Sequence, residues 1–282
     1  MKEYIEIVDV LSREIYDSNG VPTVETEVVL DDGTVGRASV GSNYMSTEHY
    51  SELRDGDLTR LNGMGVSLAV TNVNTEIAEA LLGLNALEQA YIDKVLLEID
   101  GTNNCRRLGA NAVLSASLAV AKAASYSIGM SLYSYLGGIC ARHMPIPVVS
   151  GIGSAEGLYA VPATASSFPE ALQLCRRLSS KNTDYNPEDV TFVEKPDIPV
   201  VNVCTEPTVT KLMDKIFDLK NSVKFYVLAT MAGETEDTFL ADLAIAGSAT
   251  YVFTGNFRDS VSTTKFNRLL RIYEELAEVT EF

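Results

Sequence analysis

The first forty residues alternate between apolar and polar positions. Ile5 and Ile7 begin the pattern, and Val24, Val28 and Leu30 continue it at even spacing. A period of two is typical of half-buried β-strands. Asp, Asn and Gly cluster at residues 17–20 and 31–33, and these residue types tolerate the backbone conformations of tight turns. The pattern therefore predicts a β-meander, with its third strand over residues 34–40.

From residue 66 the apolar positions recur at intervals of three and four. This spacing places one side of a helix in the core, and it covers residues 66–81 and 87–99. Asn85, with Glu88 three residues later, predicts a capping box at the start of the second helix. Residues 108–130 are rich in Ala and Ser, which favours a helix that packs closely against its neighbours.

A change of pattern near residue 140 divides the chain. Gly137 and Gly138 are followed by Pro145 and Pro147 in an apolar run, and such prolines favour extended backbone. We therefore predict one domain at residues 1–140 and a second at residues 141–282.

In the second domain, short strand patterns alternate with helical ones. Strands are expected at residues 190–193, 200–204, 225–229 and 250–254, and helices at 209–219, 236–246 and 261–278. A further helix should begin near Ser167, with a capping box to Glu170. Alternation of this kind predicts a parallel sheet or part of a β/α barrel. A complete eightfold barrel takes about 250 residues, and residues 141–282 are too few for one. The predicted fold class is therefore α/β with an abbreviated barrel.

The composition narrows the functions that the chain can carry. The net charge of −16 opposes binding to nucleic acid or to an anionic membrane surface. The four cysteines are scattered and there are two histidines, so neither a zinc ribbon nor a His-rich metal site is expected. The N-terminus has no signal-peptide pattern, and we expect a cytoplasmic protein.

Three blocks of the sequence carry longer and more specific patterns. Residues 13–25 read REIYDSNGVPTVE, residues 97–123 contain LEIDGT, LGANA and SLAVAKA, and residues 233–272 contain GETEDT, ADLA, TG and FNRLLRI. Together these blocks resemble the enolase family. The resemblance implies a meander-plus-helices domain followed by a β/α barrel, and Mg²⁺-dependent interconversion of 2-phosphoglycerate and phosphoenolpyruvate. The material missing from the barrel falls between about residues 180 and 200.

The same resemblance shows that most of the catalytic side chains are replaced. The family's His, phosphate-binding Arg and Ser correspond here to Thr230, Met231 and Ala232. A second family lysine corresponds to Phe253, and the lysine base corresponds to Asn202. Gly157 and Met45 stand where the family has a catalytic Glu and a metal-chelating Ser. Met cannot donate the charged hydrogen bonds that a phosphate requires, and Asn cannot accept a proton at neutral pH.

A few polar residues could form a remnant pocket: Ser42, Ser46, Glu156, Glu194 and Glu234. Glu194 lies in a segment similar to one in which the family's Glu binds Mg²⁺, but one carboxylate is a poor magnesium site. We interpret Glu234, together with Glu236 and Asp237, as acidic residues in a first helical turn, where the helix dipole favours them.

Three hypotheses follow from this pattern of replacement. We expect a binding or assembly protein that has lost 2-phosphoglycerate dehydration and uses no cofactor. The alternative is a metal-dependent lyase with a rebuilt site at Glu156, Glu194 or Lys195, which would need Mg²⁺. The third hypothesis is a module that associates with an authentic enolase subunit. In the first case the block that contains Arg13, Glu14 and Glu25 is the expected surface of a homodimer.

Overall fold

A computed structural model describes residues 4–42, 50–150, 158–162, 164–179, 190–194, 198–230, 233–255, 257 and 259–280. The chain forms two compact units. The first contains Met1–Tyr135, Cys204–Lys215 and Ala232–Thr235, and the second contains Leu136–Val203, Ile216–Met231 and Glu236–Phe282. The domain boundary at residue 140 stays a prediction.

The first unit begins with the predicted meander. Strands β1 (Ile7–Tyr16), β2 (Pro22–Leu30) and β3 (Val35–Ser39) form an antiparallel sheet in that order. The turn between β1 and β2 is closed by the carboxylate of Asp17, whose Oδ1 accepts hydrogen bonds at 2.8 Å from the backbone N–H groups of Asn19 and Val21. This local bonding explains why the polar run ends the first strand, and it confirms the meander.

Five helices follow the meander: α1 (Ser67–Asn72), α2 (Ala78–Leu81), α3 (Gln89–Asp100), α4 (Ala110–Ser127) and α5 (Leu132–Gly137). A π-helical turn, Val73–Ile77, joins α1 to α2, so the helical pattern of residues 66–81 is confirmed. The interior face of the meander packs against α4, which is buried over most of its length. Gly36 makes this approach possible, because a Cβ atom there would lie 2.2 Å from the Ala119 carbonyl oxygen.

The predicted capping box at Asn85 is wrong. Helix α3 begins at Gln89, and the side chain of its N-cap residue Glu88 makes no capping hydrogen bond. The Oδ1 atom of Asn85 instead accepts from the backbone N–H groups of Ile5, at 3.0 Å, and Leu87, at 3.3 Å. The asparagine side chain therefore ties the start of the meander to the loop before α3.

The described residues of the second unit form two sheets. Strands β4 (Ile146–Pro147), β8 (Val200–Val201), β9 (Val227–Ala229) and β10 (Tyr251–Phe253) form a parallel sheet in the order β4-β10-β9-β8. Strands β5 (Val149–Ser150), β6 (Leu158–Pro162) and β7 (Val190–Glu194) form an antiparallel sheet. The mixed α/β class is confirmed. The strand predicted at 200–204 is shorter than expected, since residues Val203–Thr205 turn into a 3₁₀ helix.

The helices of this part are α6 (Phe168–Ser179), α7 (Val209–Ser222), α8 (Phe239–Ala246) and α9 (Ser260–Thr280). The first half of the predicted capping box at α6 is confirmed, since Ser167 Oγ accepts from the Glu170 N–H at 3.4 Å; the return bond differs from the prediction by one residue. The Glu170 carboxylate in turn accepts from the N–H of Ser166 at 2.9 Å. Because these side chains replace partners that the helix itself cannot supply, they mark where α6 starts.

Helix length and apolar character in the described ranges bear on whether the chain could cross a membrane. No single helix there is both long and apolar enough to cross a bilayer, and α4 passes only when combined with Leu132–Cys140 across a bend of 100°. Helix α4 itself is the buried core helix of the first unit.

Candidate functional site

The carboxyl edge of the parallel sheet brings three of the replaced family positions together. Strands β8, β9 and β10 are neighbours, and their register pairs Val201 with Leu228 and Leu228 with Val252. Asn202 and Thr230 therefore follow directly after two adjacent strands, and Phe253 ends the third. Ligands of parallel α/β sheets and barrels bind at this edge, so the edge is the candidate site.

Thr230 forms hydrogen bonds that join the ends of β9 and β10. Its backbone N–H donates to the Phe253 carbonyl oxygen at 2.8 Å, and its hydroxyl donates to the same oxygen at 3.3 Å. The side chain is buried. A threonine hydroxyl has one hydrogen to donate, so Thr230 extends the ladder between β9 and β10 and has no donor left for a ligand.

Phe253 gives the edge an apolar character. With Tyr251, it packs against a buried hydrophobic cluster formed by Val148, Val161, Ile198, Val227 and Ala229. Val161 lies on β6, Val227 and Ala229 lie on β9, and the other two lie next to strands of these sheets. An anionic substrate is held by cationic or strongly polar donors, and an aromatic ring supplies neither.

Asn202 completes the described edge and is half-buried. Its side-chain amide can donate and accept hydrogen bonds but cannot take up a proton near neutral pH. Asn202, Thr230 and Phe253 therefore provide no general base and no permanent cation.

Ser42 and Glu234, two members of the predicted remnant pocket, lie in the first unit. The buried Ser42 donates from its backbone N–H to the Gly233 carbonyl oxygen at 2.9 Å, and its hydroxyl donates to the Asp17 carboxylate. The Glu234 carbonyl oxygen accepts from the Ser18 N–H at 2.8 Å. These bonds attach the 233–235 segment to the meander turn.

This attachment gives the Gly-Glu-Thr sequence at residues 233–235 a structural role. Gly233 has φ +77°, and a Cβ atom there would lie 2.6 Å from Asp17 Oδ2. Thr235 is buried, and its hydroxyl accepts from Ser39 Oγ at 2.9 Å. The interpretation of Glu234 as part of a first helical turn is wrong, because α8 begins only at Phe239 and the 233–235 segment is bonded to the meander instead.

Several residues singled out in the sequence fall outside the described part of the chain. Glu194 ends β7 opposite Leu158, and only its backbone is described. The others have no described position: Met45, Ser46, Glu156, Gly157, Lys195, Met231 and Ala232.

The described residues do not fit a magnesium site. Within those ranges, no group of three or more His, Cys, Asp or Glu side chains could hold a metal ion. Magnesium binds through carboxylates, water and substrate oxygens in near-octahedral geometry, which one isolated carboxylate does not provide. The absence of a metal requirement stays a prediction.

The sequence reasoning missed two features of the site. The first is the apolar cluster under Phe253, which the alternation of Tyr251 and Phe253 in a short strand could have indicated. The second is the role of Asp17, which bonds to both its own turn and Ser42. No local pattern could have shown that contact, since its partners are distant in sequence.

Two family models match the chain. The model described as "Enolase, N-terminal domain" matches residues 7–136, and the model described as "Enolase, C-terminal TIM barrel domain" matches residues 200–282. The matched regions contain the meander, α1–α5, the carboxyl edge of β8–β10 and helices α7–α9. The chain therefore belongs to the enolase family.

Proposed function

We propose that this enolase-family protein has lost 2-phosphoglycerate dehydration and acts as a binding or assembly protein. The observation that carries the proposal is the carboxyl edge of the parallel sheet. There Asn202, Thr230 and Phe253 stand side by side, with no base and no cation among them, and the phenyl ring of Phe253 joins an apolar cluster. The dehydration needs a base that removes a proton from the carbon next to the substrate's carboxylate. It also needs cations that stabilise the dianionic intermediate.

The retained parts of the fold support a role for the scaffold itself. The Asp17 turn, the 233–235 segment and the small-residue helix α4 keep bonds and close packing that a stable fold requires. Gly36 and Gly233 both meet this requirement, because any side chain at either position would overlap neighbouring atoms. We infer that the scaffold is kept for interaction.

A ligand titration tests the loss of the family's site. We expect no saturable increase in melting temperature with millimolar Mg²⁺, alone or with 2-phosphoglycerate. A ligand at 100 times its dissociation constant would stabilise the folded state by about 2.7 kcal/mol, which thermal shift detects readily. An authentic enolase in the same buffer is the positive control. Saturable stabilisation that Glu194→Gln abolishes would favour the rebuilt metal-dependent lyase.

We infer a homodimer as the first assembly to test, with the outer face of the meander as the contact surface. On this face Arg13 donates to Glu25 at 2.8 Å and to Glu27 at 2.9 Å, and Arg37 pairs with Glu27. Exposed Leu11 and Val35 lie on the same sheet. The charge of −16 opposes self-association, but screening at physiological salt acts over about 8 Å and leaves a standard interface favourable.

Light scattering at micromolar concentration should therefore report about twice the monomer mass of 30.5 kDa. Leu11→Glu should shift the mass toward the monomer, because it buries an unpaired charge in the contact. Leu58→Glu, at an exposed loop position outside the sheet, is the matched control and should leave the mass unchanged. A monomer at all concentrations would contradict the dimer, and added authentic enolase then tests for mixed assembly.

A further inference from the structure

Two buried side chains hold the first turn of α7. Asp93, on α3, accepts from the Thr210 N–H through Oδ2 at 2.7 Å. Ser117, on α4, accepts from the Val209 N–H through Oγ at 2.9 Å and donates to Asp93 Oδ1 at 2.6 Å. The first N–H groups of a helix have no partner within it, so these side chains supply the cap.

Gln89 also belongs to this network, but only its amide nitrogen is hydrogen-bonded. Its Nε2 donates to Asp93 Oδ1 at 2.9 Å and to the Ser117 carbonyl oxygen at 3.2 Å. Its Oε1 is buried and has no hydrogen-bond partner in the described residues. A buried acceptor without a donor is destabilising, because it has given up its bonds to water. The network around Asp93 thus contains only groups that donate to the carboxylate, beside one oxygen that receives nothing.

The surroundings of Asp93 also disfavour its negative charge. Asp93 is 2% exposed, and burial raises the pKa of its carboxyl group although the hydrogen bonds from Ser117, Thr210 and Gln89 oppose the shift. No basic side chain in the described ranges forms an ion pair with it.

The charged and titratable groups that face Asp93 come from three elements. Lys94 and Glu98, on α3, pair with each other at 3.6 Å, and Lys211 lies on α7. These residues and Asp93 line a groove of about 350 Å³ that is open to solvent. Tyr135, on α5, interacts with Asp93 electrostatically, and its own pKa is raised, mainly by burial.

We propose that Asp93, Gln89 and Ser117 form a proton-sensitive clamp on the first turn of α7, and that it closes more tightly when Asp93 takes up a proton. The proton comes from water in the groove and binds at Oδ1. The Gln89 amide group rotates so that Oε1 and Nε2 exchange places, and the new Asp93 hydroxyl donates to Oε1. One proton then removes a buried charge and gives Oε1 a donor, while Nε2 gives up its bonds to Asp93 Oδ1 and to the Ser117 carbonyl oxygen. The Thr210 N–H keeps Oδ2 as its acceptor.

The sign of the pH effect follows from linkage. The carboxyl pKa is raised in the closed clamp, whereas in the opened, hydrated state it returns to its usual range. The closed state therefore binds the proton more tightly. The extra stability is complete below the open-state pKa and is lost as pH rises through the pKa of the closed state. Opening of the α7 first turn should thus become less frequent as pH falls.

Nuclear magnetic resonance on the full chain tests the clamp. Between pH 7 and pH 4 we follow the Asp93 carboxyl carbon, the Gln89 side-chain amide, and hydrogen exchange of the Val209 and Thr210 amides. The three signals should change with one midpoint above the usual Asp range. Protection of the two amides, corrected for intrinsic exchange, should rise by up to tenfold per pH unit, the limit for one linked proton. Titration of Asp93 without any change at Gln89, or protection that does not rise, would overturn the proposal.

Two variants sharpen the result. Asp93→Asn removes the titrating group and should abolish the pH dependence of amide protection. Glu98→Gln changes an exposed carboxylate of the same groove and should leave that dependence in place. If Asp93→Asn does not fold, the titration of the unmodified chain still decides, because it needs no substitution.

Discussion

Gly36→Ala should destabilise the first unit by about 3 kcal/mol or more, which approaches the whole stability of many domains. A Cβ atom at this position would lie 2.2 Å from the Ala119 carbonyl oxygen and 2.3 Å from the Ala123 backbone nitrogen. Both atoms belong to the backbone of α4, so neither can move like a flexible side chain. The helix would have to shift away from β3 along its length, opening a close backbone contact in the core of the first unit.

Gly20→Ala is the matched control for this prediction. Gly20 has φ +73°, but no atom lies within 4 Å of where its Cβ would stand. The cost there is only that of a left-handed backbone, about 1 kcal/mol. The urea concentration at the unfolding midpoint should be clearly lower for Gly36→Ala than for Gly20→Ala. Equal midpoints would mean that α4 does not pack against β3 at the distance described.

Arg268→Met should cost about 3 kcal/mol, because it removes the cationic partner of a buried carboxylate. Arg268, on α9, donates to Asp242, on α8, with distances of 3.2, 3.0 and 2.6 Å. The exposed fractions of the two side chains are 18% and 3%. Burial by itself would lower the pKa of Arg268, but the Asp242 hydrogen bonds and charge outweigh it and raise that pKa. Arg268 therefore stays charged across the accessible pH range.

The control for Arg268 is an exposed ion pair in the same chain. Lys94 and Glu98 are 3.6 Å apart, with 68% and 64% of their side chains exposed. Such pairs add little, so Lys94→Met should leave the unfolding midpoint nearly unchanged. Arg268→Lys should recover part of the loss, because it restores the charge but not the bidentate geometry. A loss for Arg268→Met no larger than for Lys94→Met would show that Asp242 is not buried as described.

The elements that the sequence predicted well are those with a strong local period. The sequence predicts strands β1–β3 and helix α4 within a few residues of their observed bounds. Alternation and small-residue runs depend only on residues that are close together in the sequence. The bond between Ser167 and Glu170 at the start of α6 was also predicted, because its partners lie three residues apart. Asn85 was misread, because its side chain bonds to Ile5, and no local pattern contains that partner.

The candidate site was only partly accessible to sequence reasoning. Matching the family's motifs identified Asn202, Thr230 and Phe253, but each came from a separate stretch of chain. Their position on neighbouring strand ends depends on the order β10-β9-β8, which arises from long-range pairing. The reason for keeping Gly233 was equally hidden, since it depends on contact with Asp17.

The central claim is that the carboxyl edge no longer supports the family's reaction, and a turnover assay tests it most directly. Purified protein with 2-phosphoglycerate and millimolar Mg²⁺ should produce no phosphoenolpyruvate above the buffer blank, while an authentic enolase in parallel does. Each missing acid–base group typically lowers the rate by about 10²–10⁴-fold, and several are replaced at once. Turnover above the blank that Glu194→Gln removes would contradict the account, because it would place a working active site on this chain.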